Sequence, residues 1–524
     1  MAEKQANSID VMVQYSRQLR ERFLADPYRP GYHFVLPEDL GIPGDPNGAF
    51  FANGRYHLMY LYKRREVGFC WGHISSADLI HWRHHPDAIG PGDGDEGCFS
   101  GGAFVDEDGT AYISYWKLWG NKGIGIAKSS DFYFERWEKL PKTAIPATQF
   151  GILETIDSIG QPLFLACADP SNIWKKDGIY YMQTGNLIVL NEYGRKPDHP
   201  LFRHMRGDWV DLFKSTDLNN WEYVHRFYNH DNNDCWTDGS EDDMCPSFLP
   251  LPSSPQGGKP SGKYLQLFIA HNKGCQYYIG YYDKVQDRFV PENHGRMSWV
   301  DNTFFAPEAL IDNKGRQIMW AWLLDNPGDE NSEVARGWSG VYGLPRSLWL
   351  GEDGTLRQRV PPEFQTLRFN KKNWNNETIQ DGDRKILSGV NGVSCEIEIE
   401  MGLHDARKSG LVVRASSAGE EETILYYDAE EGCLVFDAHR SSSAGIGRPV
   451  IEKAPLKIGT GEKISLRVFI DKCVVEIFAN DRQAITRRIY PTRQDSVGIY
   501  LFSQGGETIF QNIYSWDMMP SNPY

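Results

Sequence analysis

Gly54-Arg55-Tyr56-His57-Leu58-Met59-Tyr60 is a glycine turn that runs into a strand of aromatic and aliphatic residues. The same unit returns as Asp108-Gly109-Thr110-Ala111-Tyr112-Ile113-Ser114-Tyr115 and Asp177-Gly178-Ile179-Tyr180-Tyr181-Met182. It returns again as Gly262-Lys263-Tyr264-Leu265-Gln266-Leu267-Phe268 and Lys314-Gly315-Arg316-Gln317-Ile318-Met319-Trp320. A tight turn feeding a β-forming run reads as a hairpin, and recurrence at intervals of roughly 50 to 80 residues reads as one blade after another. Five such units between residues 31 and 355 predict a five-bladed β-propeller. A serine-aspartate turn followed by a tryptophan recurs inside the units, at Ser76-Ala77-Asp78 with Trp82, Ser129-Ser130-Asp131 with Trp137, and Ser215-Thr216-Asp217 with Trp221. We read it as scaffold, with the Asp capping backbone and the Trp filling space between blades.

The texture changes after Leu350. Residues 356–375 read as a linker, and alternating strands such as Ser394-Cys395-Glu396-Ile397-Glu398-Ile399 fill residues 376–524, which predicts a β-sandwich with a supporting or binding role. Residues 1–30 hold Val11, Val13, Tyr15, Leu19, Phe23 and Leu24 among charges, which predicts a short amphipathic helix packed on the body. The fold class expected is therefore all-β, propeller then sandwich.

A length of 524 residues suits two domains, each with its own core. The 16 Trp, 26 Tyr and 26 Phe suit strands and also suit stacking on sugar rings. A formal charge of -15 without a basic tract argues against nucleic acid as a partner and leaves a neutral small molecule as the better fit. No apolar run approaches the ~20 residues of a membrane span, so no membrane partner is expected. The nine cysteines form no CxxC pair and are odd in number, which together with the absence of a signal-like N-terminus predicts reduced thiols in the cytoplasm.

Three acidic motifs carry the chemistry: Gly44-Asp45-Pro46-Asn47-Gly48, Cys167-Ala168-Asp169-Pro170 and Glu241-Asp242-Asp243-Met244-Cys245-Pro246. Singly, the first two read as ordinary turns and the third as a solvated or calcium-binding loop. A propeller, however, brings distant blades to one central pocket. Retaining glycosidic cleavage needs one carboxylate to attack the anomeric carbon and a protonated group to donate to the leaving oxygen. Asp45, on its turn before a strand, suits the nucleophile. Asp169, at the end of the apolar stretch 162–168, suits a group that binds sugar hydroxyls and steadies the oxocarbenium-like transition state. Crowding among the three consecutive acids would hold one of them protonated, as a general acid requires.

In order along the chain these segments resemble glycoside hydrolase family 32, the β-fructofuranosidases, invertases and fructan hydrolases. The resemblance takes in Gly44 to Gly48, WGHISSADLIHW at 71–82, FSGGAFVDEDG at 99–109, ADPSNIW at 168–174, CPSFLPL at 245–251, DNTFFAPEAL at 301–310, GWSG at 337–340, LPRSLWL at 344–350 and RVFIDKCVVEIFAND at 467–481. It implies a five-bladed propeller followed by a sandwich, a retaining double displacement and no metal or other cofactor. By position Asp45 matches the nucleophile, Asp169 the transition-state stabiliser and the stretch around Glu241 the acid/base motif, while Asn47, Trp71, Phe99 and Ser100 fall where the family lines its fructose pocket. Four positions depart from the family pattern. Gly44, Leu61, Ala168 and Met244 stand where Asn, Gln, Arg and Glu are usual. Glu241 is the acid we expect, reaching the site through a bulge or turn, with Asp242 and Asp243 as alternatives. His33, Arg206 and His271 are candidates to replace the missing sugar contacts.

The expectation is a retaining hydrolase that removes terminal β-fructofuranosyl units from sucrose, fructooligosaccharides or related fructosides. The alternatives are a fructosyltransferase working through the same intermediate, a catalytically silent carbohydrate-binding propeller, and a related propeller enzyme for arabinose-type furanosides.

Overall fold

The computed structural model describes residues 2–36, 42–64, 66–120, 122–230, 236–324 and 338–522. Five antiparallel sheets of hairpin-connected strands follow one another from Ile42 to Arg359. Their inner strands are Ile42–Ala52, Ala103–Val105, Ala168–Pro170, Met244–Pro252 and Phe304–Ile311, and the blades meet in that order around a ring: the inner strands touch directly except that the third meets the second blade at Ala111–Lys117 and Gly123–Ser129, and the fifth meets the first. Val35–Leu36 pairs with Ser339–Val341, so a segment ahead of the first blade is fastened beside the last.

The scaffold turns behave as their residue types dictate. Asp78 accepts the backbone N–H groups of Ile80 and His81, and Asp217 those of Asn219 and Asn220. Trp137 and Trp221 donate their indole N–H groups to Phe134 and Leu218, residues held at positive φ together with Leu79.

The sandwich packs two six-stranded sheets around Ile397, Leu411, Phe436, Val468, Ile477, Leu501 and Ile513. The 3-10 helix Pro362–Leu367 lies within the stretch expected as a linker and the first sandwich strand, Arg368–Ile379, begins in it, while Leu356–Arg359 closes the fifth blade on Arg346–Leu350. The polar faces of these strands hid them from hydrophobic patterning, since 368–379 is mostly exposed.

The domain seam is polar. Asp471 accepts the consecutive backbone N–H groups of Gly31, Tyr32 and His33, and the His33 ring lies between Asp471 and Glu476 at 3.0 Å from each. Burial alone would lower the His33 pKa, but the two carboxylates outweigh it and raise it to about 9, so the ring is a buried cation. Glu476 also accepts from Leu344 N–H and Arg346. Ser521 and Asn522, near the C-terminus, donate to the Gly31 carbonyl, and Asn522 to Pro30 and His33 as well.

The helix expected at the N-terminus is present as Ala2–Ala25, but it is not packed along its length. Val11, Val13, Tyr15 and Leu24 are exposed, and among its apolar residues Phe23 makes the main contact with the body, beneath Arg29. The spacing of apolar residues suffices for a helix and does not say what covers its face.

Candidate active site

Four of the five inner strands carry a residue followed by proline near their N-terminal ends: Asp45-Pro46, Asp169-Pro170, Cys245-Pro246 and Ala306-Pro307. At each of them the pairing register shifts by a bulge, between Pro43 and Pro46, Ala168 and Pro170, Met244 and Ser247, and Phe305 and Glu308. Proline fits because the inner strand is an edge and lacks a partner for that N–H. A bulge re-aims the residue before it, and Asp169, Cys245 and Ala306 hold the left-handed backbone that results, at φ 37°, 49° and 48°. The second blade solves the same problem with Gly101-Gly102. A Cβ there would stand 1.9 Å from the Ser114 carbonyl oxygen or 2.3 Å from the Asn172 nitrogen, so only glycine permits this approach.

These devices bring Asp45 and Asp169 together. The Cys245 sulfur is 3.5 Å from Oδ2 of each, so the two oxygens are no further apart than twice that distance. Ser100 Oγ donates to Asp45 Oδ2 at 2.6 Å, and Asn47 bridges the Asp45 carbonyl and the Gly101 N–H. Asp169 Oδ1 is buried and, among the described residues, has no hydrogen-bond partner. A buried carboxylate oxygen without a donor is costly, and a ligand hydroxyl would satisfy it. Burial raises the Asp45 pKa, against the opposing effect of Ser100, Cys245 and the His271 charge. Burial and then the Asp45 charge push Asp169 up to about 7. Burial and the two flanking carboxylates hold Cys245 well above the usual range, so it is a thiol donor and not a thiolate.

The acidic stretch is divided among three environments. Glu241 is buried with its oxygens accepting from Lys273 Nζ at 2.5 Å and Gln276 Nε2 at 2.8 Å. Asp243 accepts from Trp209 N–H and the Tyr228 hydroxyl, and burial with the neighbouring Asp208 charge raises its pKa well above that of an ordinary aspartate. Asp242 is fully buried and holds Arg195 and His271. Met244, at the family's acid position, is buried under Gly185, where a Cβ would lie 2.7 Å from its sulfur.

Of the remaining expected residues, Trp71 is fully buried and donates its indole N–H to the Phe99 carbonyl, so it braces Phe99 from behind, and Phe99 keeps partial exposure. Gly44 and Leu61 are one change: a Cβ at 44 would lie 3.1 Å from the Leu61 side chain, which fills the space. Ala168 is buried in the same apolar cluster as Met244, Phe305 and Ala306. His33 serves the domain seam and Arg206 rests on Phe202 and the Asp238 carbonyl, whereas His271 is near enough to the acidic pair for the Asp169 and Asp45 charges to act on it. Gly337 of the 337–340 segment lies outside the described residues.

Sequence reasoning missed the bridging role of Cys245 and the buried Glu308, whose carboxyl accepts the Ala49 N–H across the first and fifth blades and is pushed up to about 8 by burial. The fourfold recurrence of a residue-proline step is the signal that would have placed Cys245 and Ala306 beside the two aspartates.

Two family models match in succession, that for the N-terminal domain of glycosyl hydrolases family 32 over residues 39–360 and that for the family's C-terminal domain over 363–517. Their border coincides with the end of the fifth blade. The insoluble isoenzyme of beta-fructofuranosidase from Arabidopsis thaliana is 27% identical over 94% of this chain and 91% of its own. A fructan 1-exohydrolase of Aegilops speltoides is 29% identical over 94% and 88%. The crystal structure of fructan 1-exohydrolase IIa from Cichorium intybus superposes with a TM-score of 0.79 at 23% identity, covering 95% of this chain and 98% of that one.

Proposed function

Because the chain belongs to glycosyl hydrolase family 32, we propose that it is a retaining glycoside hydrolase that releases terminal β-fructofuranosyl units from sucrose, a fructooligosaccharide or a related fructoside. The observation that carries this reading is the Asp45–Asp169 pair joined by one thiol, with an unsatisfied Asp169 oxygen between blades. Asp45, held by Ser100, attacks the anomeric carbon and becomes the ester of a fructosyl-enzyme intermediate. Asp169 accepts hydrogen bonds from two ring hydroxyls, which strengthen as positive charge develops on the sugar. Its elevated pKa fits a site that is stable while empty and ionises when hydroxyl donors arrive.

The leaving oxygen also needs a proton. Glu241 would have to release Lys273 and Gln276 before serving as its source. We also infer a reducing compartment, in keeping with Cys70, Cys98, Cys167, Cys245, Cys275, Cys395 and Cys433, which are free thiols.

The test is a product screen on sucrose, inulin, levan and short fructans. Fructose should appear from at least one of them and disappear in Asp45→Asn. Release that survives that substitution, or no release from any fructoside, would refute the reading.

A further inference from the structure

The three consecutive acids supply no free donor at the Asp45–Asp169 pair, yet the hairpin that carries Cys245 also carries an imidazole. The strands Met244–Pro252 and Pro260–Ala270 pair with Met244 opposite Ile269, which carries the ladder on to Asp242 opposite His271. The contact is made: His271 N–H lies 3.2 Å from Asp242 Oδ1, and His271 Nδ1 is 3.2 Å from the same oxygen. His271 therefore sits at the end of the hairpin whose inner strand carries Cys245, the residue that touches both aspartates. From the fifth blade, the ring of Phe305 meets the imidazole edge-on at 5.7 Å and Asn302 donates to the His271 carbonyl at 2.7 Å. The side chain is half exposed, and its hydrogen bonds among the described residues use Nδ1, which leaves Nε2 open.

We propose that His271, oriented by Asp242, is the general acid and base of this site, taking the part that the family's glutamate position, occupied here by Met244, does not fill. The proposal rests on the reading of the site as a fructosidase. Asp45 bonds to the anomeric carbon as the glycosidic carbon–oxygen bond breaks, and the Nε2 proton of the imidazolium passes to the departing oxygen. The neutral imidazole then takes a proton from water as its oxygen attacks the same carbon and frees Asp45. The imidazolium is regenerated with no further reactant.

The electrostatics agree. Burial by itself would lower the His271 pKa, but the Asp242 hydrogen bond and charge, then Asp169 and Asp45, raise it above the ordinary histidine value. The other charged groups nearby are occupied: Arg195 holds Asp242 Oδ2, and Lys273 turns to Asp238, Ser240 and Glu241. Asp242 thus acts as a positioning residue, for it fixes Nδ1 as donor and so leaves Nε2 as the nitrogen that gives and takes the proton.

The experiment compares His271→Asn, His271→Gln, Glu241→Gln and Asp242→Asn on sucrose and on a nitrophenyl β-fructofuranoside, whose leaving group needs no proton. Each His271 variant should lose on the order of 10²–10⁴-fold on sucrose. With the nitrophenyl substrate it should still give a burst of nitrophenolate, followed by slow turnover that azide accelerates. The alkaline limb of kcat/KM should vanish with His271 and move to lower pH in Asp242→Asn. Glu241→Gln should keep both substrates and both limbs. Equal losses on the two substrates, an unmoved alkaline limb, or the same split produced by Glu241→Gln would overturn the assignment. Wild-type protein inactive on both substrates would instead refute the fructosidase reading itself.

Discussion

Asp169→Asn should make the protein more stable at pH 8 while silencing it. The carboxyl is only 3% exposed, one of its oxygens has no donor, and its pKa stands at about 7 against 3.8 for an ordinary aspartate. Because the folded value lies above the unfolded one, the folded state binds the extra proton. The contribution to stability is therefore fully present below the unfolded value and is lost as pH rises through the folded one. At about 1.4 kcal/mol per pKa unit, the loss between pH 4 and pH 8 amounts to about 4 kcal/mol. Asparagine never ionises and escapes this loss, though its buried amide leaves donors short of partners at a cost of about 1–3 kcal/mol at every pH. The variant should thus be somewhat less stable than the wild type near pH 4, cross it in between, and be more stable by about 1–3 kcal/mol at pH 8. Urea unfolding followed by tryptophan fluorescence at four pH values between 4 and 8.5, with fructose release in parallel, measures both sides. A stability difference that does not change with pH would show that Asp169 is not the strained acid described above.

Cys245→Ala removes a donor that lowers the pKa of both aspartates, so the acidic limb of the kcat/KM profile should move to higher pH, and a limb that stays in place would count against the bridging thiol. His33→Gln breaks a buried cation from two carboxylates and should cost about 3–5 kcal/mol in urea unfolding at pH 6. That cost should shrink as pH rises through about 9, where the wild-type ring loses its proton, and a pH-independent cost would rule out the charged ring. Gly102→Ala would force a Cβ to 2.3 Å from the Asn172 nitrogen and displace the segment that carries Ser100. A lowered melting temperature together with weakened activity is expected, and a fully active variant of unchanged stability would show that the approach is not tight.

Much of the architecture was legible because its devices are local. Glycine and aspartate turns, aromatic strands and the Ser-x-Asp corner each follow from what a residue does to its own backbone, and Asp78, Asp131 and Asp217 behave alike in three blades. Asp45 and Asp169 could be placed for the same reason, as acids on proline steps. The three acids 241–243 could not. In an extended chain successive side chains alternate, but Asp243 at φ 43° and Cys245 at φ 49° break the alternation, and each acid faces a different neighbour. The partners that decide the matter, Lys273, Trp209 and His271, come from other strands or other blades. The border near residue 360 was blurred because the first sandwich strand is mostly exposed, and an exposed edge carries little hydrophobic pattern.

The seam at Gly31–His33 sets the order of synthesis against the order of completion. His33 waits for Asp471, Glu476 and Asn522, which are made 438, 443 and 489 residues after it. Until then the His33 imidazole has neither counter-charge and the three consecutive N–H groups that Asp471 receives face water. Residues 35–36 are held by the fifth blade, but Gly31–His33 have no such partners there among the described residues, so a chain cut at residue 360 carries all five blades and a His33 without its counter-charges.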